Sequence, residues 1–298
     1  MIACDLGSNT FRAVKIDCQS KKRVAEFEKI VKTADGLQDS GEISKLSISR
    51  IIEAIKEAKK AMDFSNDEVY AVATAAFRIA SNSKKALTRI KKETGLEVEV
   101  ISGTHEANLT AIAVSEALKR LDLEYQDFIL LDLGGGSSEL FIQKKDRAFI
   151  KSFDIGIVTL TQKYNSFDKM QESINLETKD IEKFISEIYS SFSKPKVFIS
   201  TAGTATTLAS LNKGIDYEHY EHEIINGTIL NIEDIDKLFK RLLEFDEKER
   251  NRWVGVGRSD LIFSGIAILK SVLKIAGFEN MIVIDDGLRE GLAISKCE

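Results

Sequence analysis

An internal repeat constrains the fold of this 298-residue chain more than any other feature of its sequence. Residues 2–17 read IACDLGSNTFRAVKID, and residues 129–144 read ILLDLGGGSSELFIQK. When the two stretches are aligned, Asp5 falls on Asp132 and a glycine turn falls on a glycine turn, at an offset of 127 residues. The sequence therefore contains the same strand–turn–strand pattern twice.

Two further matches follow in the same order and at the same offset. The stretch YAVATAAFRIAS (70–81) aligns with VFISTAGTATTLAS (197–210), and the helical pattern SISRIIEAIKEAKKAM aligns with SINLETKDIEKFISEIYSSF. Three matches in one order at one offset predict two domains of one topology. The length of the chain supports this, because it exceeds the usual size of a domain with a single core. We place the domains at 1–122 and 123–298, with a final helix at about 287–297 that packs back toward the first.

Each half has the same order of apolar segments. Three runs of strand length come first, and a helix, a short strand and another helix follow, which gives the order β-β-β-α-β-α-β-α. This order predicts an α/β class with helical crossovers and a mixed sheet in each domain. The predicted strands are 2–6, 11–17, 23–32, 69–73 and 98–101 in the first half and 127–133, 138–143, 147–154, 196–200 and 281–285 in the second. The predicted helices are 47–62, 104–121, a segment from about 178, 232–244, 258–276 and the last one.

The two glycine turns have the composition of a phosphate-binding loop. Glycines remove Cβ atoms and allow positive φ, so that backbone N–H groups can point at an anion. One turn from each domain would then hold a phosphate chain from both sides of a central interdomain cleft. Ordinary hairpin turns remain the alternative for both stretches. The expected phosphate contacts are Gly7, Ser8, Asn9, Gly134, Gly135, Gly136 and Ser137.

Acidic residues next to these turns have the chemistry of a divalent-cation site. Asp132 ends one apolar run, Glu139 lies seven residues later on the returning run, and Asp5 matches Asp132 in the repeat. Carboxylates that converge near a turn can hold a cation that bridges phosphate oxygens. We therefore expect a metal site at these three residues, with a solvated strand position as the alternative for Glu139.

A second repeated element adds candidate anion contacts. Thr201 is followed by Ala202, Gly203 and Thr204 between an apolar strand and a helix, a place where a helix N-terminus can bind a phosphate. The matching loop of the first half contains Arg78, whose planar guanidinium suits phosphate oxygens. A simple helix cap and a surface arginine are the alternatives.

Charge and composition exclude several classes of function. A net charge of −5 argues against a general nucleic-acid binder, which has a basic surface. No apolar run reaches the roughly 18 residues that span a membrane, and the start of the chain does not have the pattern of a signal peptide. Cys4, Cys18 and Cys297 are scattered, which fits a reducing compartment. We expect a cytoplasmic protein, with a homodimer as the default assembly.

Several motifs together resemble the exopolyphosphatase/guanosine pentaphosphate phosphatase (Ppx/GppA) family. They occur in the order of that family along nearly the whole chain. The family is similar in fold to the actin, sugar-kinase and heat-shock-chaperone ATPases, which implies two actin-like (ribonuclease H-like) domains. The motifs are CDLGSNTFR (4–12), ATAAFRIA (73–80), ISGTHEANL (101–109), LDLGGGSSEL (131–140), STAGTATTL (200–208), GRSDLIFSGIAIL (257–269) and DDGLREGL (285–292).

The resemblance implies roles for individual residues. Glu106 matches the family's general base toward the attacking water, although His105 stands where the family commonly has an acid. Arg78 and Arg258 match arginines that hold the polyanion or stabilise charge in the transition state. The resemblance also implies Mg²⁺, or Mn²⁺, near Asp132 and Glu139.

The resemblance leaves the substrate open between inorganic polyphosphate and guanosine penta- or tetraphosphate. Longer members carry a C-terminal domain that helps to hold long polyphosphate, whereas this sequence ends after DDGLREGLAISKCE, which favours shorter substrates. The basic stretch SKKALTRIKKE (83–93) can extend a polyanion track or be a solvated helix face. More distant alternatives are an ATP-dependent phosphotransferase and a non-catalytic nucleotide-binding protein.

Overall fold

A computed structural model describes residues 1–123, 125–164 and 166–297 of the chain. The chain divides into two compact units, the first formed by 1–114 with 287–298 and the second by 115–286. The sequence placed the boundary at 122/123. The units instead divide at 114/115, within a helix that both share, and the last segment belongs with the first unit.

Unit 1 contains a five-stranded sheet in the order β3-β2-β1-β4-β5. The first three strands form antiparallel hairpins, and β4 and β5 continue the sheet in parallel after helical crossovers. Its strands are β1 (Ile2–Leu6), β2 (Thr10–Asp17), β3 (Lys22–Ile30), β4 (Val69–Ala73) and β5 (Glu99–Val100), and its helices are α1 (Leu37–Ser40), α2 (Lys45–Met62), α3 (Ala75–Ile79), α4 (Ser83–Thr94) and α5 (Gly103–Arg120).

Unit 2 repeats this order with one additional strand at the end, and in the same direction its sheet reads β8-β7-β6-β9-β11-β10. Its strands are β6 (Asp127–Leu133), β7 (Ser138–Lys144), β8 (Arg147–Phe153), β9 (Val197–Thr201), β10 (Thr228–Asn231) and β11 (Asn280–Val283). Its helices are α6 (Ile157–Lys163), α7 (Phe167–Glu177), α8 (Lys179–Tyr189), α9 (Ala202–Lys213), α10 (His222–Ile225), α11 (Ile232–Glu244), α12 (Glu247–Val254) and α13 (Leu261–Ile275), and α14 (Leu288–Lys296) belongs to unit 1.

The duplicated α/β fold predicted from the repeat is confirmed, and the differences fall where the apolar pattern is weak. The predicted strand 98–101 shortens to two paired residues at the sheet edge. Helix α7, strand β10 and helix α12 were not predicted. Helix α12 reads EKERNRWV and buries only Val254, so it has no apolar periodicity to detect. Strand β10 has four residues, and its pairing with β11 determines its conformation.

Each unit has its own apolar core. Strands β6 and β7 bury nearly every residue, which is the pattern of strands in the interior of a domain rather than of a sheet with one solvated face. In unit 1, α14 packs on β1 and β2 and buries Leu288, Leu292 and Ile294. Gly291 of α14 lies so close to the carbonyl of Leu109 that a Cβ there would overlap the backbone of α5.

A charged network fixes the first turn of α14 in unit 1. Glu290 is 1% exposed and accepts hydrogen bonds from Arg289 (2.7 Å) and the Gly287 N–H (2.9 Å). It also forms an ion pair with Arg23, whose Nη2 lies 3.0 Å from Oε1. The two guanidinium groups lower the pKa of Glu290 to about 2, against the desolvation that burial imposes. The buried carboxylate is therefore ionised and paired.

A disulfide joins Cys18, directly after β2, to Cys297, directly after α14, with a Cα–Cα distance of 5.1 Å. The sequence reading took the cysteines as thiols of a reducing compartment and did not predict this bond. Cys4 is a buried free cysteine, and burial raises the pKa of its thiol to about 12. In the part of the chain that the structure describes, no helix combines the length and apolarity needed to cross a membrane.

Candidate active site

The β6–β7 hairpin places Asp132 and Glu139 directly opposite each other on neighbouring strands. Directly opposed side chains lie on one face of a sheet, with Cβ atoms about 4.5–5.5 Å apart. Both are buried, Asp132 at 9% and Glu139 at 1% exposure. The strand register therefore brings these two carboxylates close together, as expected from the sequence.

The glycine loop between these strands is tied back through its carbonyl groups. The N–H groups of Ile157 and Val158, at the start of α6, donate to the carbonyls of Gly134 (3.1 Å) and Gly135 (2.8 Å). Within the described residues the N–H groups of Gly135 and Gly136 donate no hydrogen bond. Since the carbonyls are already satisfied and the amides are not, the loop presents donors, which is the polarity that an anion requires.

Glycine is required in this loop because of close approach. A Cβ on Gly134 would lie 3.0 Å from the carbonyl oxygen of Ser137, and a Cβ on Gly156 would overlap the backbone of Gly135. The expectation of positive φ is wrong here, because none of the loop glycines is among the positive-φ residues in the described part of the chain. The loop is tight in space and ordinary in backbone conformation.

The loop of unit 1 is built in the same way. The Gly7 N–H donates to the carbonyl of Thr10 (3.0 Å), and a Cβ on Gly7 would lie 3.1 Å from that oxygen. The carbonyl of Ser8 accepts from Ala34 (2.8 Å), and that of Asn9 accepts from Val31 and Lys32 (2.9 Å each). The Ser8 hydroxyl is buried, at 4% exposure, and has no hydrogen-bond partner within the described ranges. Ser8 thus adds an unsatisfied hydroxyl group to a loop whose carbonyl groups are already hydrogen-bonded, as an anion-binding loop requires.

Two hydroxyl groups hold one oxygen of Glu139. Ser137 Oγ and Ser152 Oγ each donate to Glu139 Oε1 at 2.7 Å. Ser152 lies on β8 directly opposite Glu139. Ser152 was not predicted from the sequence, because its position depends on the register of a third strand. Because both hydroxyls bind the same oxygen, they fix the orientation of the carboxylate.

Unit 1 brings together Glu106 and Arg78. Glu106 lies in the first turn of α5 at 8% exposure, and Arg78 Nη1 donates to its Oε2 at 2.7 Å and to the carbonyl of Ile101 at 3.2 Å. An arginine at this distance stabilises the carboxylate form, which is the form able to accept a proton. The side chain of Arg78 remains 20% exposed, so it is not a plain surface arginine.

The β9–α9 junction has a strained backbone. Ala202 has φ 67°, a left-handed conformation that is uncommon for a residue with a Cβ. Thr201 Oγ1 donates to the carbonyl of Asp286 (3.1 Å). The Thr204 side chain faces Gly265 of α13, where a Cβ would overlap the threonine hydroxyl. Backbone groups of Ala202 and Gly203, rather than the Thr204 hydroxyl, are therefore what this junction offers to an anion.

Arg258 lies against an aromatic platform in unit 2. Its guanidinium is 5.6 Å from the ring centre of Tyr217, and Gly255 packs against the same ring. Asp216 caps the 3₁₀ turn Tyr217–His219 and pairs with Arg252 (3.0 Å). The imidazole of His219 is hydrogen-bonded to Asp216 within this turn, and that bond raises the pKa of His219.

The donor set of unit 2 fits a magnesium site. Mg²⁺ is commonly bound by one or two carboxylates together with water and substrate phosphates. Asp132 and Glu139 supply two carboxylates next to the free amides of the loop. Within residues 1–123, 125–164 and 166–297, no group of three or more His, Cys, Asp or Glu side chains that could hold a metal occurs. The geometry therefore suits two carboxylates completed by substrate oxygens.

Comparison with protein families and curated proteins gives a consistent result. A sequence model of the Ppx/GppA phosphatase family matches residues 14–298. The chain is 26% identical to the bifunctional 3-dehydroquinate synthase/phosphatase of Fusobacterium nucleatum, over 95% of this chain but only 44% of that protein. It is 24% identical to exopolyphosphatase 1 of Mycobacterium leprae, over 99% of this chain and 88% of that one.

Solved structures agree with this match. The Ppx/GppA enzyme of Aquifex aeolicus is 31% identical, with a TM-score of 0.77 over 99% of this chain and 98% of that one. An exopolyphosphatase from Cytophaga hutchinsonii is 26% identical, with a TM-score of 0.85 over 99% and 97% of the two chains.

Proposed function

This chain belongs to the Ppx/GppA phosphatase family, and we propose that it is an exopolyphosphatase-type hydrolase. Its reaction is the removal of the terminal orthophosphate from inorganic polyphosphate by water, with Mg²⁺ as cofactor. The exopolyphosphatase names of its relatives from Mycobacterium leprae and Cytophaga hutchinsonii support this substrate class. Guanosine pentaphosphate is the alternative substrate of the same chemistry.

The observation that carries the proposal is the loop of unit 2. Gly135 and Gly136 present amide donors next to two buried carboxylates, Asp132 and Glu139. Amides alone suit an anion, and paired carboxylates alone suit a cation. A phosphate chain with its bound cation satisfies both at once.

The reaction needs a base, an attacking water and a stabilised leaving group. The water oxygen forms a bond to the terminal phosphorus while the bridging P–O bond breaks, and the shortened chain keeps the bridging oxygen. Glu106 accepts the proton of the water, a role worth about 10²–10⁴-fold in rate. Mg²⁺, when bound, would neutralise negative charge on the phosphate oxygens.

Positive side chains and loop amides orient the substrate. We assign Arg78 and Arg258 to phosphate oxygens, where a guanidinium forms two parallel hydrogen bonds. The contact of Arg78 with Glu106 and the contact of Arg258 with Tyr217 hold each guanidinium in a defined position. We assign the Ser8 hydroxyl and the amides of Ser8 and Asn9 to phosphate contacts in unit 1, with Asp5 beside them, because the Gly7 N–H already donates to Thr10.

The test measures orthophosphate release with Mg²⁺ from tripolyphosphate, long-chain polyphosphate and guanosine pentaphosphate. We expect the highest kcat/KM on a polyphosphate, and a loss of at least about 10²-fold on every substrate in Glu106→Gln. Glu116→Gln is the matched control, because Glu116 is a half-buried glutamate on the same helix that is paired with a lysine, Lys119, at 2.7 Å.

Each outcome decides a different part of the assignment. Full activity of Glu106→Gln would remove Glu106 from the role of base. Release only from guanosine pentaphosphate would change the substrate. Absence of release from all three substrates, with the protein folded, would contradict the hydrolase assignment itself.

A further inference from the structure

Helix α4 (Ser83–Thr94) concentrates positive charge in an acidic protein. Unit 1 contains 20 Lys and Arg against 18 Asp and Glu, and unit 2 contains 22 against 29. Within α4 alone there are five basic residues and a single acidic one. This one helix therefore carries more excess positive charge than the whole of unit 1.

Three of the five basic residues of α4 line a surface concavity of about 660 Å³. Its lining residues, which we call the α4 surface, are Lys85, Thr88, Arg89, Lys92 and Glu93. The spacing from Lys85 through Arg89 to Lys92 puts three cations on one face of the helix. They extend over about 10 Å at 1.5 Å per residue. This geometry presents a row of charges rather than a single point.

The lysines of the α4 surface are available to a ligand. Within the described residues Lys85 and Lys92 form no ion pair, and both are exposed. Other lysines of unit 1 are engaged, such as Lys15 with Asp67 (2.6 Å) and Lys29 with Glu57 (2.7 Å). The α4 surface therefore keeps two ammonium groups available to an anionic ligand.

Arg89 is held in place at the centre of the row. Its Nε donates to Glu93 (2.7 Å), and its Nη2 donates to Ser49 of α2 (3.2 Å). The bond from Arg89 lowers the pKa of Glu93, with contributions from Lys56 and Lys92. Glu93 thus orients Arg89 and leaves the lining of the concavity with a net positive charge.

The α4 surface lies close along the chain to Arg78. Helix α3, which carries Arg78, ends at Ile79, and only residues 80–82 separate it from α4. Seven residues join Arg78 to Lys85, so their Cα atoms are at most about 25 Å apart. A long linear anion engaged at Arg78 can therefore reach the α4 surface. Because the row of cations is itself about 10 Å long, a short anion engaged at Arg78 covers less of it than a long one does.

We propose that the α4 surface binds the internal phosphates of long-chain polyphosphate. This inference rests on the proposed function, because it assigns a second contact to the same substrate. Charge complementarity carries it: a linear polyphosphate has one negative charge or more per repeat, and the row offers two lysines that are unpaired in the described part of the chain, one on each side of Arg89. The α4 surface holds the chain without taking part in bond cleavage.

The test is the double charge reversal Lys85→Glu/Lys92→Glu. We expect KM for long-chain polyphosphate to rise about tenfold, with kcat and the KM for tripolyphosphate unchanged, because two exposed contacts become repulsive. Raised salt should remove most of the difference from the wild type. The matched control is Lys237→Glu/Lys240→Glu, two exposed lysines on α11 of unit 2, which should leave both KM values unchanged.

The outcomes separate this proposal from the proposed function. An equal rise in KM for both substrates, or no change for long chains, would overturn the α4 assignment while hydrolysis remains. If the wild type released no phosphate, equilibrium dialysis of long-chain polyphosphate against wild type and variant would still decide it, since equal binding contradicts it. Equal loss of single-stranded RNA and polyphosphate in the variant would reassign the surface to nucleic acid.

Discussion

The two glycine hairpins have the same backbone but opposite charge patterns across their strands. In unit 1 the cross-strand row reads Asp5, Arg12, Glu28, and Arg12 bonds to Glu28 at 2.9 Å. In unit 2 the row at the same repeat positions on its first two strands begins Asp132, Glu139 and continues to Ser152. The first row alternates in sign. The second places two carboxylates side by side.

This difference indicates which hairpin needs a cation from outside the protein. Like charges directly opposite each other destabilise a sheet, and burial strengthens the repulsion. Unit 1 places the cation Arg12 in its row, whereas unit 2 places Glu139 at the matching position, where the hydroxyl groups of Ser137 and Ser152 donate to it. We therefore propose Asp132 and Glu139 as the principal metal ligands and Asp5 as a weaker contact of the metal.

The largest predicted effect concerns the balanced charges of unit 1. Glu290→Gln leaves Arg23 and Arg289 without their common buried partner, so we expect unfolding to become easier by about 3–5 kcal/mol. Urea unfolding measures this loss. Lys163→Gln, which removes an exposed partner of Glu177 in unit 2, should cost less than about 1 kcal/mol and serves as the control.

The same network gives unit 1 a pH dependence with a defined sign. The folded pKa of Glu290 is about 2, below its ordinary value of 4.5, so its contribution is complete above pH 4.5. That stability is lost as the pH falls from about 4.5 toward 2. In Glu290→Gln this part of the acid dependence should be absent. An unchanged acid profile would show that the network contributes nothing.

The next effect concerns the unbalanced pair of unit 2. Glu139→Gln should weaken Mg²⁺ binding and lower kcat about 10²-fold, because the cation loses one of two carboxylates. In the absence of Mg²⁺ the variant should be as stable as the wild type or more so, since a buried repulsion is removed. Calorimetric titration with Mg²⁺ and urea unfolding measure the two effects.

The counterpart of that change in unit 1 is Arg12→Gln. It should lower stability by about 1 kcal/mol and leave Mg²⁺ affinity unchanged, because it breaks a partly exposed pair of unit 1 that includes neither Asp132 nor Glu139. If both variants changed Mg²⁺ affinity equally, the contrast between the hairpins would not hold.

A smaller effect is expected for the hydroxyl that orients Glu139. Ser152→Ala removes one of the two donors to Oε1, and we expect about tenfold weaker Mg²⁺ binding, the lower end for loss of such a supporting group. Ser152→Thr keeps the hydroxyl and should restore affinity. The matched control is Ser138→Ala, whose hydroxyl donates to the carbonyl of Ile155 instead. Equal weakening in that control would point to general loosening of the hairpin.

The smallest effect compares the two strand–helix junctions. Ala202 has φ 67°, whereas its repeat partner Ala75 is not in the left-handed region. Ala202→Gly should stabilise the protein by about 1 kcal/mol, because glycine adopts this conformation without strain. Ala75→Gly should destabilise it by a similar amount. Thermal unfolding of the two variants should therefore shift in opposite directions.

The features that could be predicted from the sequence are those encoded by local pattern. The pairing of Asp132 with Glu139 follows from a tight turn, since the loop fixes the register of its two strands. The duplicated topology follows from the repeat, and strand 69–73 is found at its predicted bounds.

The features that could not be predicted depend on residues distant in the chain. Ser152 reaches Glu139 only through the register of β8. The burial of Glu290 depends on Arg23, more than 260 positions earlier. The strain at Ala202 has no signal in the residue type, because alanine rarely adopts positive φ.

The Cys18–Cys297 bond also determines how the chain responds to mechanical force. The bond joins residues 279 positions apart, so tension applied at the two ends passes through the sulfur atoms. With the bond intact, the segment between the two cysteines is bypassed, and only residues outside 18–297 can be drawn out. After reduction the whole polypeptide can extend, to about 1,000 Å. The redox state of this disulfide would therefore determine whether an applied force acts on most of both units.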